Sequence, residues 1–324
     1  MGQQLESDLR PVQAILGKSG IAVSRMGFGS APVAGLYQQI HEVDAVATIR
    51  FAFDQGITLF DTAPLYSAGW SETLVGRALA GISRDQYVIS TKVGRVIQQG
   101  AAVMDFSREG VLRSFEASLS RLQTDRVDIL HIHDPDNHME QALAEAFPVL
   151  DDLRRQGVIR AIGAGMNQWQ ALARFAMEAD FDCFLLAGRY TLLEQGALDF
   201  LDLCRRKQIG ILLGGVFNSG ILATGAVEGA KYNYREAPPE IRERVLALQT
   251  FCTTHRVALN AAALQFALAH PAVTTLVVGA VSPAEITANL AALAAPIPAA
   301  FWEDLQRAHL VDLAAPLPGD VAPS

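Results

Sequence analysis

The stretch GITLFDTAPLYSAGWSE, residues 56–72, decides the fold and points to the chemistry. Its apolar segment Ile57–Phe60 predicts a buried strand that ends at the carboxylate of Asp61. Tyr66 follows in a loop opened by Pro64. A buried strand that runs into ionisable side chains is typical of a parallel barrel, where functional groups lie at the carboxyl ends of the strands.

Two later segments repeat this pattern. The apolar run Val88–Thr91 is followed by Lys92, and Val127–His133 ends in a histidine that is followed by Asp134. An acid, a tyrosine, a lysine and a histidine therefore all fall at or just beyond the carboxyl ends of predicted strands. A proton-transfer site on a barrel rim needs this arrangement.

The rest of the chain alternates strands with helical periods. Five further strands are predicted at Met26–Ser30, Val158–Gly163, Cys183–Ala187, Ile209–Leu213 and Thr275–Val278. Eight strands separated by helices indicate an α/β fold, a single (β/α)8 TIM barrel that forms one domain over residues 1–324. The opening segment Ile15–Val23, with a turn at Lys18–Gly20, predicts a β-hairpin that covers the bottom of the barrel.

Helices and one long loop complete the predicted architecture. Helices are expected at Val43–Gln55, with Val43 on the apolar face, at Arg108–Leu122, with Ser107 as N-cap, and at Glu140–Gln156. The stretch Gly214–Pro239 has no clear period. Its aromatic residues and arginine indicate an active-site loop after the seventh strand; they are Tyr232, Tyr234 and Arg235.

Composition limits the classes of function. The chain has 324 residues, 50% of them hydrophobic, and a formal net charge of −8, which argues against a nucleic acid or an anionic membrane as partner. Its three cysteines lack any metal-ligand spacing, so we expect reduced thiols and no metal site. The start MGQQLESDLR is too polar for a signal peptide, so none is expected, and Ala288–Phe301 is broken by prolines. These features predict a cytoplasmic monomer or small homo-oligomer that acts on a small molecule.

The four ionisable residues form a plausible acid–base set. Tyrosine has a reference pKa of about 10, and a nearby cation lowers it, so Lys92 is expected to activate Tyr66. Asp61 would hold the lysine, and His133 would orient the reacting oxygen. Taken singly, a buried Asp–Lys pair is more often structural, a histidine at a strand end is more often a core residue, and a loop tyrosine usually covers surface. Their joint placement favours the functional interpretation.

The motifs resemble the signature of the aldo-keto reductase superfamily. The segments that carry the resemblance are GITLFDTAPLYSAGWSETLVGRAL, VISTKVG and ILHIHDPD, and the likeness extends from Gly27 to Asn289. It implies a catalytic tetrad of Asp61, Tyr66, Lys92 and His133, with Tyr66 as the acid/base. It also implies a nicotinamide dinucleotide extended across the barrel's carboxyl face without a Rossmann domain, in keeping with the missing third glycine of GAGMNQ at residues 163–168.

The resemblance implies the cofactor contacts as well. Met166 and Asn167 correspond to the residues that bind the nicotinamide carboxamide, and GGVFNSG at Gly214–Gly220 resembles the loop that cradles the pyrophosphate. The full expected set is Gly29, Ser30, Asp61, Met166, Asn167, Gly214, Phe217, Ser219, Gly220, Gly279, Glu285 and Asn289.

Departures from the family pattern affect the cofactor. Gly214 stands where the family usually places an aromatic ring, so Phe217 is expected to cover for it, and Ala187 stands where many members have glutamine. Members that use NADPH place lysine and arginine where this chain has Gly279 and Glu285. A carboxylate there would repel a 2′-phosphate and accept from a 2′-hydroxyl, so NAD is favoured over NADP. Alternatively, Glu285 is only an acidic residue in the first turn of the last helix.

The sequence also resembles one subgroup in the segments GAGMNQW, LLAGRYTLLEQ and KYNYREAP. This subgroup contains D-threo-aldose 1-dehydrogenases (L-fucose dehydrogenases) and pyridoxal 4-dehydrogenase, which implies NAD-dependent oxidation of an aldose, or of pyridoxal to 4-pyridoxolactone. Substrate contacts are expected from Trp70, Asp134 and Arg189, although Asp134 could instead cap a loop and Arg189 form a salt bridge in the rim. An NADPH-dependent aldehyde reductase and a non-catalytic nucleotide-binding subunit remain the alternatives.

Overall fold

The protein is a closed barrel of eight parallel strands in sequential order. The computed structural model describes residues 9–36 and 38–319, so most of the polar start of the chain lies outside the described residues. The barrel closes where Val278 in the last strand pairs with Phe28 in the first. The strands are β1 Met26–Gly29, β2 Leu59–Asp61, β3 Val88–Val93, β4 Ile129–His133, β5 Ala161–Met166, β6 Cys183–Ala187, β7 Gly210–Gly214 and β8 Val273–Gly279. This architecture confirms the predicted (β/α)8 fold.

Helices surround the barrel. They are α1 Glu42–Asp54, α2 Trp70–Leu79, α3 Arg108–Leu122, α4 Phe147–Arg155, α5 Trp169–Glu178, α6 Leu198–Arg206, α7 Pro239–Thr254, α8 Leu259–Ala269, α9 Pro283–Ala294 and α10 Ala299–Arg307. Within the described part of the chain no single helix is long and apolar enough to cross a membrane. Helices α9 and α10, which meet at an angle of 87°, reach the length and apolar composition of a membrane span only when they are taken together.

Helix α3 matches its prediction, whereas two other helices differ. The Ser107 hydroxyl accepts the Gly110 N–H at 3.1 Å and caps α3 as expected. The predicted helix Glu140–Gln156 is instead a short turn, a π-helical segment at Ala142–Ala146, and α4. A π segment adds a residue to the turn and shifts the side chains that follow onto a different face.

The predicted position of Val43 on the apolar face of α1 is wrong. Val43 is 78% exposed, and the buried side chains of this helix are Ala45, Thr48, Ile49 and Ala52. These four follow the i, i+3, i+4, i+7 spacing of one helical face. Val43 precedes Ala45 by two positions, which places it about 200° around the helix and toward solvent.

The N-terminal hairpin closes the bottom of the barrel, as predicted. Its strands Gln13–Ile15 and Ala22–Ser24 pair antiparallel. Leu16, Ile21 and Val23 are fully buried in one cluster with inward-facing strand residues such as Leu59 and Ile129. This apolar plug fills the barrel interior at the end opposite the ionisable residues.

Two further hairpins rise at the carboxyl end of the barrel. The first pairs Arg95–Gln98 with Ala101–Met104 directly after β3, and the sequence did not predict it. The second pairs Lys231–Tyr232 with Arg235–Glu236 inside the long stretch after β7, which is therefore ordered. Both hairpins belong to the loops that form the mouth of the barrel.

Candidate active site

Lys92 is the centre of a buried polar cluster at the ends of β2, β3 and β4. Its Nζ contacts Asp61 Oδ1 at 2.7 Å and donates to the carbonyl oxygen of Thr62 at 2.8 Å. The second carboxylate oxygen of Asp61 accepts the Ser90 hydroxyl at 2.8 Å. Burial by itself would lower the pKa of Lys92, but the charge of Asp61 outweighs it and raises that pKa. The lysine therefore remains an ammonium ion.

Tyr66 lies against this cluster on the short helix Tyr66–Gly69 that follows β2. Lys92 Nζ is 4.7 Å from the centre of its ring. The ring of His133 meets it edge-on with the centroids 5.9 Å apart. The structure thus brings Asp61, Tyr66, Lys92 and His133 together, as the sequence indicated.

The expected ionisation of Tyr66 needs a correction. Burial is the largest influence and raises the pKa of Tyr66; the charge of Lys92 lowers it, as predicted, but the nearby carboxylate of Asp61 raises it again. The net pKa lies above the usual value for tyrosine. Because a buried phenolate is poorly solvated, the side chain is a neutral phenol at pH 7 in this state.

His133 is a neutral imidazole. It is 5% exposed, and burial, followed by the charges of Lys92 and Arg95, holds its pKa well below the usual range. Its Nε2 lies 3.7 Å from Asp134 Oδ2, while Nδ1 has no hydrogen-bond partner among the described residues. A neutral imidazole can donate one hydrogen bond to a substrate oxygen without carrying a charge.

Two charged residues that the sequence did not indicate, Glu72 and Arg121, support the buried cluster. Glu72 is fully buried, accepts the Thr91 hydroxyl at 2.6 Å and pairs with Arg121 Nε at 2.7 Å. Helix α2 carries Glu72, and β3 carries Thr91 one position before Lys92. Glu72 lies within the opening motif, but nothing in its spacing distinguishes a buried glutamate from a surface one.

A cavity of about 320 Å³ opens beside Asp61 and Tyr66 and runs toward the loops after β7 and β8. The predicted cofactor residues that line it are Gly29, Asp61, Gly214, Phe217, Ser219, Gly220 and Gly279. A Cβ built on Gly214 would find no atom closer than 3.5 Å, so the cavity wall has room for a small side chain at this position. The described residues contain no group of three side chains able to hold a metal ion.

Other predicted cofactor residues do not line the cavity. The fully buried Ser30 donates its hydroxyl to the carbonyl oxygen of Asp61 at 2.8 Å. Met166 is 2% exposed, and Asn167 donates to the carbonyl oxygen of Ala187 at 2.7 Å. Asn167 therefore ties the end of β5 to the end of β6.

Glu285 and Asn289 lie on α9, outside the cavity lining. The Glu285 carboxylate accepts the Val281 N–H at 2.9 Å, and its own N–H donates to the Ser282 hydroxyl at 3.3 Å. These reciprocal bonds resemble a capping box. The helix-terminal role that the sequence left open for Glu285 is thus present in the structure.

The residues expected to bind substrate occupy different places. Trp70 is 36% exposed, is absent from the cavity lining, and carries the Arg77 guanidinium 5.2 Å from its ring centre. Asp134, next to His133, accepts Arg95 Nη1 at 2.5 Å. Arg95 begins a hairpin that was not predicted, so its pairing with Asp134 could not be anticipated from the sequence.

Arg189 takes part in a salt bridge within the rim. Its Nη1 lies 3.3 Å from Glu194 Oε1 and donates to Asn233 Oδ1 at 3.2 Å. The salt bridge that the sequence left open as an alternative for Arg189 is therefore present. Through Asn233, it also ties the loop after β6 to the hairpin after β7.

Comparisons with known proteins agree with this geometry. The model of the aldo/keto reductase family matches residues 25–309. The chain belongs to the aldo/keto reductase family. The D-threo-aldose 1-dehydrogenase of a Pseudomonas species is 38% identical, over 90% of this chain and 96% of that protein. Pyridoxal 4-dehydrogenase of Microbacterium luteolum is 37% identical, over 91% of this chain and 97% of that protein.

A third relative and a solved structure extend the comparison. L-galactose dehydrogenase of Arabidopsis thaliana is 32% identical, over 86% of both chains. The holo form of aldo-keto reductase AKR11C1 from Bacillus halodurans superposes with a TM-score of 0.77 at 27% identity, covering 94% of this chain and 97% of that one. Membership of this family makes the protein an NAD(P)-dependent oxidoreductase.

Proposed function

We propose that this aldo/keto reductase oxidises the anomeric carbon of an aldose to a lactone with NAD as oxidant. The observation that carries the proposal is the convergence of Tyr66, Lys92 and His133 beside one cavity. The relatives named aldose and galactose dehydrogenases support the choice of substrate class.

The cavity suits an extended dinucleotide. Its far wall is built from glycine backbone, including Gly215 and Gly220 with φ of 63° and 101°. Such left-handed glycines leave peptide groups open to an anionic ligand. We assign Gly29, Gly214, Phe217, Ser219, Gly220 and Gly279 to the cofactor. A bound oxidised nicotinamide supplies a hydride acceptor and a positive ring charge.

The residues of the buried cluster carry out the acid–base steps. The deprotonated form of Tyr66 accepts the proton of the hemiacetal hydroxyl as the carbon–hydrogen bond breaks, and that oxygen becomes the lactone carbonyl. Because Tyr66 is a neutral phenol in the free protein, its own proton must first pass to solvent. Lys92 stabilises the tyrosinate, while Asp61 holds Lys92 in place. His133, neutral and buried, donates a hydrogen bond that orients the same oxygen.

NAD is favoured over NADP by two positions on the adenosine side. A Cβ on Gly279 would come within 2.5 Å of Pro32 Cγ, so a lysine does not fit there without movement of the chain. Glu285 adds an exposed carboxylate at the start of α9. A 2′-phosphate would be repelled by that charge, whereas a 2′-hydroxyl could donate to it.

A second candidate substrate is pyridoxal. The relative named pyridoxal 4-dehydrogenase is 37% identical over most of the chain. The internal hemiacetal of pyridoxal presents the same reacting group, so the roles of Tyr66 and His133 would be unchanged.

The test is cofactor reduction by purified protein with L-fucose, D-arabinose, L-galactose and pyridoxal, each with NAD and with NADP. Sugar-dependent NADH formation is the expected result. Reaction with pyridoxal alone would replace the substrate, and NADPH-dependent aldehyde reduction alone would overturn both the direction and the cofactor.

Glu285→Gln sharpens the cofactor part of this test. Removing the charge should raise the ratio of kcat/KM with NADP to kcat/KM with NAD about tenfold, equivalent to about 1.4 kcal/mol. Thr287→Gln, at an exposed position on the same helix, is the matched control. An unchanged ratio in Glu285→Gln would remove Glu285 from cofactor selection.

A further inference from the structure

The hairpin after β7 holds a tyrosine in an unusual backbone conformation. Lys231–Tyr232 pairs with Arg235–Glu236, and the two residues of the turn, Asn233 and Tyr234, have φ of 49° and 65°. Two-residue turns with both φ positive normally place glycine second, because a side chain is strained there. A tyrosine at this position persists only if its surroundings hold it, and such strain is concentrated at functional sites.

Three contacts hold the hairpin against the rim of the barrel. The Tyr232 hydroxyl donates to Glu194 Oε1 at 2.6 Å. Arg189 donates to Asn233 Oδ1 at 3.2 Å, and the Tyr234 N–H donates to the Ser219 hydroxyl at 3.0 Å. The turn is therefore fixed on both sides, to the loop after β6 and to the loop after β7.

The contacts hold Tyr234 at the cavity that reaches the buried cluster. Tyr234 lines the same cavity as Asp61 and Tyr66. Burial first, and then the charge of Asp134, raise the pKa of Tyr234, so its hydroxyl lies within electrostatic reach of the residue next to His133.

The wall of the cavity at Gly214 lacks an aromatic ring. At Gly214 the nearest atoms to a built Cβ are Leu185 Cδ2 at 3.5 Å and Ala187 Cβ at 3.9 Å. Tyr234 remains 62% exposed, which leaves much of its ring surface available to be buried by a ligand. Among Tyr66, Phe217 and Tyr234, the aromatic residues that line this cavity, Tyr234 is the one that the hairpin supplies.

We infer that Tyr234 is the specificity-determining residue of this site and packs its ring against the ring of a cyclic substrate. The inference rests on the proposed function and narrows it to cyclic hemiacetals. The C–H face of a pyranose, or the face of a pyridine ring, packs well on a phenol ring. The phenol hydroxyl would contact a ring hydroxyl. Open-chain aldehydes would gain little from either contact.

The test compares Tyr234→Gly, Tyr234→Phe and the control Lys231→Ala. Glycine favours the left-handed conformation of this position, so Tyr234→Gly removes the ring while relieving backbone strain, and its thermal midpoint should not fall. Lys231 is exposed on the same hairpin and does not line the cavity. Loss of function in Tyr234→Gly with an unchanged thermal midpoint cannot be attributed to misfolding.

Two readouts separate this inference from the proposed function. The first is the ratio of kcat/KM for aldoses to kcat/KM for a small open-chain aldehyde. The second is inhibition of reduction of that aldehyde by rings that cannot be oxidised, methyl β-L-fucopyranoside and 4-deoxypyridoxine. For Tyr234→Gly we expect the ratio to fall and the inhibition constant of at least one ring to rise, each about tenfold. Tyr234→Phe keeps the aromatic ring and should stay close to the wild type in both quantities.

Each result has a distinct meaning. If neither ring inhibits the wild type, or if inhibition by every ring that binds is the same in Tyr234→Gly, the inference about Tyr234 is overturned. If aldoses are not oxidised by the wild type but inhibition by a ring is weakened in Tyr234→Gly, the inference stands and the proposed aldose oxidation fails. Equal changes in Lys231→Ala would assign the effect to the hairpin as a whole and overturn the role of the ring.

Discussion

The two halves of the barrel rim are built by different means. The half formed by β2, β3 and β4 presents buried side chains, and Asp61 and Lys92 each have hydrogen-bond partners besides each other. The half that includes β7, β8 and β1 presents backbone, with Gly214, Gly279 and Gly29 along one cavity. The first half fixes individual atoms for proton transfer, while the second offers a surface for a long ligand.

The largest expected effect is the loss of the Tyr66 hydroxyl. Tyr66→Phe should lower kcat about 10²–10⁴-fold, because general acid–base catalysis contributes that much. The ring and its contacts with Lys92 and His133 remain, so the thermal midpoint should change little. Steady-state rates and a thermal melt measure the two quantities.

A buried tyrosine elsewhere supplies the control for this change. Tyr190 is fully buried, and its hydroxyl has no hydrogen-bond partner among the described residues. Tyr190→Phe should retain wild-type turnover. Normal turnover in Tyr66→Phe would refute the proposed mechanism, and an equal loss in both variants would point to a general effect of removing buried hydroxyls.

Removing the charge of Lys92 tests how strongly the stability of the side-chain half depends on the ion pair between Asp61 and Lys92. Lys92 is 1% exposed, so Lys92→Met leaves a buried carboxylate without its cation and should cost about 3–5 kcal/mol of unfolding free energy. The double variant Asp61→Asn/Lys92→Met should lose less than Lys92→Met alone. Urea unfolding of Lys92→Met, Asp61→Asn and the double variant measures this coupling, and strictly additive losses would contradict it.

The same variant has a consequence for pH dependence. Oxidation requires the deprotonated form of Tyr66, so the rate should rise with pH through the pKa of that group. Lys92 lowers this pKa against the opposing effect of burial. Lys92→Met should therefore move the rising limb of kcat to higher pH, provided that residual turnover is measurable. A limb that stays in place would show that Tyr66 is not the titrating group.

The sequence revealed the side-chain half better than the backbone half. Asp61, Lys92 and His133 could be placed because apolar strands have a recognisable pattern and their last residues are ionisable. The net pKa of Tyr66 could not be predicted, since it depends on how deeply the ring is buried. Arg95 was missed because its hairpin pairs residues that show no strong strand pattern.

The predicted ends of strands and helices also differ in how well they agree with the structure. Strand β6 and helix α3 match their predicted ranges, because strong apolar patterns define them. Strand β5 begins at Ala161 and not at Val158, since the Val158 N–H bonds to the Leu153 carbonyl oxygen in the preceding turn at 3.0 Å. The cavity wall at Gly214 could not be predicted, because a glycine in a sequence does not reveal whether a neighbour or a space lies beside it.

The same substitution at a glycine that faces each half gives the smallest expected effect and the most direct comparison. Gly163, on β5, faces His131 of β4, and Gly214 lies on β7. At Gly163 a Cβ would lie 2.1 Å from Nδ1 of the fully buried His131, so Gly163→Ala must displace the ring and should cost about 1–3 kcal/mol. At Gly214 the nearest atom is 3.5 Å away, and Gly214→Ala should change stability by less than about 0.5 kcal/mol. Urea unfolding of both variants measures the difference. Equal costs would show that the two halves are packed alike, and the contrast between a side-chain wall and a backbone wall would then concern chemistry alone.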